Sequence, residues 1–390
     1  MPWDAVLGQA AAVDYLRSAL RAGRAPHGYL FQGPFGVGKK TAAAALAQVL
    51  LCHQPPAADR ACGKCRSCRW LAAQKNFLSD HPDLLPLLKN PGKDNEKLVG
   101  DQEQIIPLDA VQALSEKLHR TPSQGSRRVV VIPEAHRMCA GQAEAANAFL
   151  KTLEEPPPSS IVILTSSRPE ALLETIVSRV QPVRFRRLAA QDILKGLAAS
   201  RKPEAERELA AVLSDGSLGR AKELLDGDLG RWRSAVMKLL ADFGPRGCPA
   251  FGLALWAVAD SEGQRLFEVY EKGAEPAPQE EDEDAAGVEQ DEAAAKTVSG
   301  WKRFVMRRLF ELCEVAFRDG LVTAAGAEAG GLLQKDQADL ARKLAERCGE
   351  NGCGKVLEVL RECHTAVRLY VRGDLVARYL SGKMVEALKR

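Results

Sequence analysis

A chain of 390 residues with 46% hydrophobic content can bury more than one core, and typical domain sizes give it about two or three domains. No apolar run approaches the length of a bilayer span, and Met1-Pro2-Trp3-Asp4 lacks a basic-then-apolar signal pattern, so a cytoplasmic protein is expected. Ten cysteines in so long a chain, four of them at metal-ligand spacing, argue for reduced thiols over a disulfide framework, and a formal net charge of +3 excludes neither an acidic nor a basic partner.

The first elements in chain order are α/β in character. His27 to Gln32 reads as a short buried strand, followed by Gly33-Pro34-Phe35-Gly36-Val37-Gly38-Lys39-Lys40-Thr41 and an Ala- and Leu-rich helix from Thr41 to Cys52. Strand, glycine loop and helix are the context of a P-loop, in which Gly33, Gly36, Gly38, Lys39 and Thr41 offer backbone donors, an ammonium and one hydroxyl to a phosphate. The residue that should carry a hydroxyl to Mg²⁺ is Lys40. The next buried strand, Val129 to Ile132, should end in a metal-binding Asp and ends instead in Pro133-Glu134. Phosphoryl transfer needs that metal to neutralise developing charge, so the pattern reads as an ATPase fold that no longer hydrolyses ATP.

Directly after the P-loop helix, Cys52, Cys62, Cys65 and Cys68 give C-x₉-C-x₂-C-x₂-C. Four thiolates at such spacing close a tetrahedron around Zn²⁺ and leave no open position, so a structural site is expected in a module over residues 52–70. Cys348, Cys353, Cys363 and His364, in a helical region, read as packing residues rather than a second metal site.

Ala143 to Glu155 is a helix stopped by Pro156-Pro157-Pro158, and Ile161 to Thr165 is a third strand. Parallel strands separated by helices imply a doubly wound sheet with its ligand at the carboxyl ends. From Ala189 onward amphipathic helices dominate, with a break at Gly216-Ser217-Leu218-Gly219. A second all-helical region follows Gly227. Within it, residues 273–298 hold nine acids and one Lys, a net of −8, so the rest of the chain carries +11. That stretch reads as a disordered acidic insertion, and the basic remainder suits a position beside a polyanion.

These residues together resemble the delta-prime subunits of the bacterial DNA polymerase III clamp loader, in the clamp-loader clade of AAA-plus proteins. The resemblance rests on the Walker-type loop, the four-cysteine insertion, His81-Pro82-Asp83, the degenerate second motif, Asn147-Ala148-Phe149-Leu150-Lys151-Thr152-Leu153-Glu154-Glu155-Pro156-Pro157, and Ser178-Arg179. It covers about residues 1 to 225, and the rest only by length and helix content.

The resemblance implies an α/β P-loop domain over 1–187 with the zinc module inserted, a small helical lid over 188–227, and an all-α oligomerisation collar over 228–390. It implies that Arg179 is an arginine finger acting on ATP bound to a neighbouring subunit, with Val180 standing where Cys is usual. Motor subunits place an Arg directly after Gly-Ser-Leu, whereas here Gly219 takes that place and Arg220 follows, about a quarter turn away. The implied function is a non-hydrolysing subunit of the replicative clamp loader within the DNA polymerase III holoenzyme. Its partners would be motor subunits of gamma or tau type, a delta-type subunit, the sliding clamp, and primed DNA through the assembled ring. Structural Zn²⁺ is the expected cofactor, and whether ATP or ADP also binds, without hydrolysis, stays open at this point. One alternative is an active motor of gamma or tau type in which Thr41 supplies the hydroxyl and Glu134 binds metal. Another is a nucleic-acid-binding finger built on Lys64, Arg66, Arg69 and Trp70.

Overall fold

Val129-Val130-Val131-Ile132 and Ile161-Val162-Ile163-Leu164 have no polar residue to turn toward water, and both runs lie at the centre of a sheet covered on both faces. A computed structural model of the chain describes residues 2–72, 81–87, 106–139, 143–243, 248–271, 297–326 and 331–387. Strands β1 (Gly28–Gln32), β2 (Leu84–Pro86), β3 (Arg128–Ile132), β4 (Ser160–Ser166) and β5 (Gln181–Arg184) pair in the order β2-β3-β4-β1-β5, every pair parallel.

The edge strands β2 and β5 were not foreseen, and the reason is physical. Each contains a proline, Pro86 or Pro182, which is tolerated at an edge because a ladder donor is dispensable there. β5 also exposes Gln181, Pro182 and Arg184 while burying Val183, so it never reads as a continuous apolar run.

Helices α1 (Ala10–Arg21), α2 (Lys39–Leu50) and α3 (Arg66–Ala72) come early in the chain, followed by α4 (Leu108–Leu118), α5 (Glu144–Glu154), α6 (Glu174–Val177) and α7 (Ala190–Gly196). The pleat sorts alternate strand residues into two cores. Tyr29, Phe31, Val129, Val131, Ile161 and Ile163 pack with α1 and α2 on one face. Leu30, Val130, Ile132, Val162 and Leu164 pack with α4, α5 and Ile176 on the other. The helix expected from Thr41 begins two residues earlier, because Gly38 at φ 101° turns the chain into it.

The chain divides into two compact units, residues 1–198 with 215–220, and residues 199–214 with 221–390. Helices α8 (Glu204–Leu213), α9 (Leu218–Asp226, of which 218–220 belong to the first unit), α10 (Leu229–Ala241), α11 (Cys248–Glu271), α12 (Val298–Ala324), α13 (Ala338–Arg368) and α14 (Gly373–Ala387) supply the second unit. Its core is aromatic at one end, where Phe243 meets Phe251 and Phe317 edge to face. The acidic stretch 273–298 lies outside the described residues except for Thr297 and Val298. Thr297 caps α12 by accepting a hydrogen bond from Gly300 N at 3.1 Å. Among the described residues, no helix is long and apolar enough to cross a membrane.

Candidate functional site

The glycine loop leaves the carboxyl end of β1, in the interior of the sheet, and delivers α2 with no side-chain cap over its first turn. Such a helix start presents backbone donors to an anion. Lys39 is nonetheless engaged by the chain itself. Its Nζ donates to Pro34 O at 2.7 Å and to Gly33 O, and lies 3.8 Å from Glu134 Oε1, with both side chains buried. Lys40 is partly exposed and Thr41 exposed in the first turn of α2.

Glu134 follows Pro133 at the end of β3 with φ 44°, a conformation costly for a residue with a Cβ. Neighbours over-determine it. Its N donates to Thr165 Oγ1 at 3.2 Å, and its Oε2 accepts from Ser167 N at 2.7 Å and Ser167 Oγ at 2.8 Å. Burial alone would raise its pKa, but Lys39, the two Ser167 donors and His136 outweigh that and hold the carboxyl below its usual range. His136 is pushed down to about 4, by burial first and against the attraction of Glu134, so it is neutral near pH 7. Its Nδ1 pairs with Ser166 Oγ at 3.0 Å. The hydroxyls of Thr165, Ser166 and Ser167 are thus bonded to Glu134 and His136.

Sequence reasoning missed the part played by Gly219. Gly219 N donates to Gly36 O at 3.1 Å, and a Cβ on Gly219 would meet Gly36 Cα at 3.1 Å. Asp215, at φ 48°, and Gly216, at φ 81°, turn the chain beside Arg187 and Leu188, and Ser217 and Gly219 then lie against Gly36 of the glycine loop. Any side chain at 219, including the Arg of motor subunits, would crowd this approach. Ser217 Oγ caps the following turn by accepting from Arg220 N at 3.1 Å.

The four expected zinc ligands come together. Sγ atoms of Cys52, Cys62, Cys65 and Cys68 all lie within 4.8 Å of one another, and Cys62 and Cys68 are 3.9 Å apart. A tetrahedron with Zn–S near 2.3 Å requires about 3.8 Å between sulfurs, so the donor set and its spacing fit Zn²⁺. Gly63 at φ 70° makes the knuckle, letting Lys64 N and Cys65 N donate to Cys62 Sγ at 3.4 and 3.2 Å. Those two donors bring the Cys62 thiol down to about 6, while burial pushes Cys68 up. The module is tied to the fold at Asp59, which accepts from Arg17 Nε at 2.8 Å and Arg21 Nη2 at 2.8 Å, while Trp3 Nε1 donates to its backbone carbonyl at 2.9 Å. Cys353 and Cys363 are buried along α13 and join no metal-binding group among the described residues.

Arg179 lies elsewhere. It follows α6 and precedes β5, and its carbonyl is 3.8 Å from where a Cβ on Gly28 would stand, at the amino end of β1. The glycine loop leaves the other end, five residues along the strand, about 15 Å away. The guanidinium donates from Nη1 to Thr175 O at 2.9 Å and from Nη2 to Glu154 Oε1 at 2.7 Å.

A family model described as DNA polymerase III, delta subunit, matches residues 8–189. DNA polymerase III subunit delta-prime of Escherichia coli K12 is 33% identical over 235 residues, 60% of this chain and 65% of that protein. Subunit delta-prime of Pseudomonas aeruginosa is 39% identical over 153 residues, 39% of this chain and 41% of that protein. Subunit tau of Bacillus subtilis is 30% identical over 230 residues, 57% of this chain and 37% of that protein. The chain thus spans between 37% and 65% of the length of these relatives. Residues 8–189 thus resemble the DNA polymerase III delta-subunit family, and the relatives that align with this chain include clamp-loader subunits of delta-prime type.

Proposed function

We propose that this chain is a clamp-loader ring subunit that does not hydrolyse ATP and lends Arg179 to the nucleotide of a neighbouring motor subunit during loading of a sliding clamp on primed DNA. The observation that carries the reading is the separation of Arg179 from its own glycine loop by the length of β1. An arginine at the amino edge of the sheet acts on a nucleotide held by another molecule. The chain's own loop supports the same reading. Lys40 and Pro133 stand at the two metal-ligand positions, and Glu134, which a motor would use on water, is engaged by Lys39 and Ser167.

Zn²⁺ on Cys52, Cys62, Cys65 and Cys68 holds the module together and takes no part in chemistry, because four thiolates complete its coordination. ATP or ADP at Gly33, Gly36, Gly38, Lys39 and Thr41 would be a ligand without turnover, and its phosphates would have to draw Lys39 away from Glu134. The division into a P-loop domain over 1–187, a lid over 188–227 and a collar over 228–390 belongs to this reading. So do motor and delta-type subunits as ring partners, and the cytoplasm as the place of action.

The test is DNA-stimulated ATP turnover by the reconstituted ring with wild-type chain and with Arg179→Ala, at equal assembly. A finger contributes about 10³- to 10⁵-fold at the site it serves, so turnover of the whole ring should fall severalfold. Unchanged turnover would mean that Arg179 faces no nucleotide and would refute the reading. A second reading, an active gamma- or tau-type ATPase using Thr41 and Glu134, draws on the tau relative at 30% identity. It requires turnover by the isolated chain.

A further inference from the structure

The run Leu153-Glu154-Glu155-Pro156-Pro157 has no role in the function described so far, yet one of its carboxylates reaches the finger. Glu154 is the last residue of α5, which Pro156 prevents from continuing. A carboxylate at that end meets the negative pole of the helix dipole and is unfavourable there unless a cation accompanies it. The cation is Arg179, 25 residues on in the chain, bonded Nη2 to Oε1 at 2.7 Å. The same guanidinium donates from Nη1 to the Thr175 carbonyl at 2.9 Å and to Ser178 Oγ at 3.4 Å. Contacts from two elements therefore fix both ends of a planar fork that would otherwise sample many rotamers. The arginine side chain keeps 35% of its surface exposed, and these bonds leave Nε and part of Nη2 available to a further acceptor.

The geometry points to Glu154 as a positioning residue. It holds the Arg179 guanidinium in the orientation in which it meets a neighbour's phosphoryl group, and so lowers the ordering cost at the moment of reaction. This rests on the reading of Arg179 as a finger in trans. Glu154 touches no nucleotide and acts only through Arg179.

A double-mutant cycle separates the two ideas. The full chain is assembled with the tau-type and delta-type subunits of its own organism. DNA-stimulated turnover is then measured for wild type, Glu154→Ala, Glu154→Gln, Arg179→Ala and the double variant, at equal assembly. Glu154→Ala should lower kcat about three- to fivefold, the size a half-exposed ion pair can supply, with KM for ATP unchanged. Glu154→Gln, which keeps an acceptor oxygen, should recover part of the loss. In the Arg179→Ala background, Glu154→Ala should cost nothing further. Arg179→Ala lowering turnover while Glu154→Ala leaves it unchanged or raises it would overturn the positioning role alone. An equal loss in both backgrounds would make Glu154 merely structural and also overturn it. No effect of Arg179→Ala would overturn the finger reading and this inference together.

Discussion

At the scale of single residues, charge placement is visible where a carboxylate is both buried and paired. Asp59, 2% exposed, is held at about 2 by its hydrogen bond to Arg21 and by Arg17, against burial, which alone would raise it. Because the folded pKa lies below the unfolded value near 4, the pair stabilises fully above about pH 4 and its contribution is lost as pH falls toward 2. Arg21 is 56% exposed, so solvent screens part of that gain. Asp59→Asn should therefore cost about 1 kcal/mol at neutral pH and nearly nothing below pH 2, read as a difference in denaturation midpoint across a pH series. An equal cost at both ends of the series would show that the carboxylate charge is not what matters. Glu134 shows the other side of residue-scale reasoning. Its identity is plain in the sequence, but its bonds to Ser167 join residues 33 positions apart and depend on β3 and β4 lying side by side.

At the scale of elements, the four-cysteine module is a loop and a short helix with little apolar cargo of their own. Cys68 is buried, but Cys52, Cys62 and Cys65 are only partly so, and on the proposed reading order in the segment depends on cross-linking through Zn²⁺. Elemental analysis should find one zinc per chain. Stripping the metal, or Cys68→Ser, should make the segment near residues 52–72 sensitive to protease while the sheet stays folded, because both strand cores are built without the thiols of Cys52, Cys62 and Cys65. Full protease resistance in zinc-free protein would contradict this. The four-cysteine cluster was legible from spacing because its members are close together in the chain. β2 and β5 were not, because a three-residue strand and a proline-bearing edge take their structure from the neighbour they pair with.

At the scale of the whole molecule, the question is whether the chain turns over ATP by itself. Lys39 engaged by Glu134 and loop carbonyls, Lys40 and Pro133 at the metal positions, and Gly219 against Gly36 all oppose it. The isolated full-length chain should show no ATP hydrolysis above a Lys39→Ala control, with or without primed DNA. Turnover that disappears in that control would favour the motor reading and remove the basis for a silent ring member.

The sequence by itself determined the glycine loop with Lys40 in it, the Pro133 that follows β3, the four-cysteine cluster, the three apolar strands and the family likeness. Each is written in residue type and short spacing, and each follows from chemistry that acts within a few residues. Only the tertiary structure decided that Gly219 lies against Gly36, that the Ser166 and Ser167 hydroxyls are bonded to His136 and Glu134, and that Arg179 stands a strand's length from its own loop beside Glu154. Those facts depend on which strands are neighbours and on which end of the sheet each connection emerges, and no local spacing encodes them.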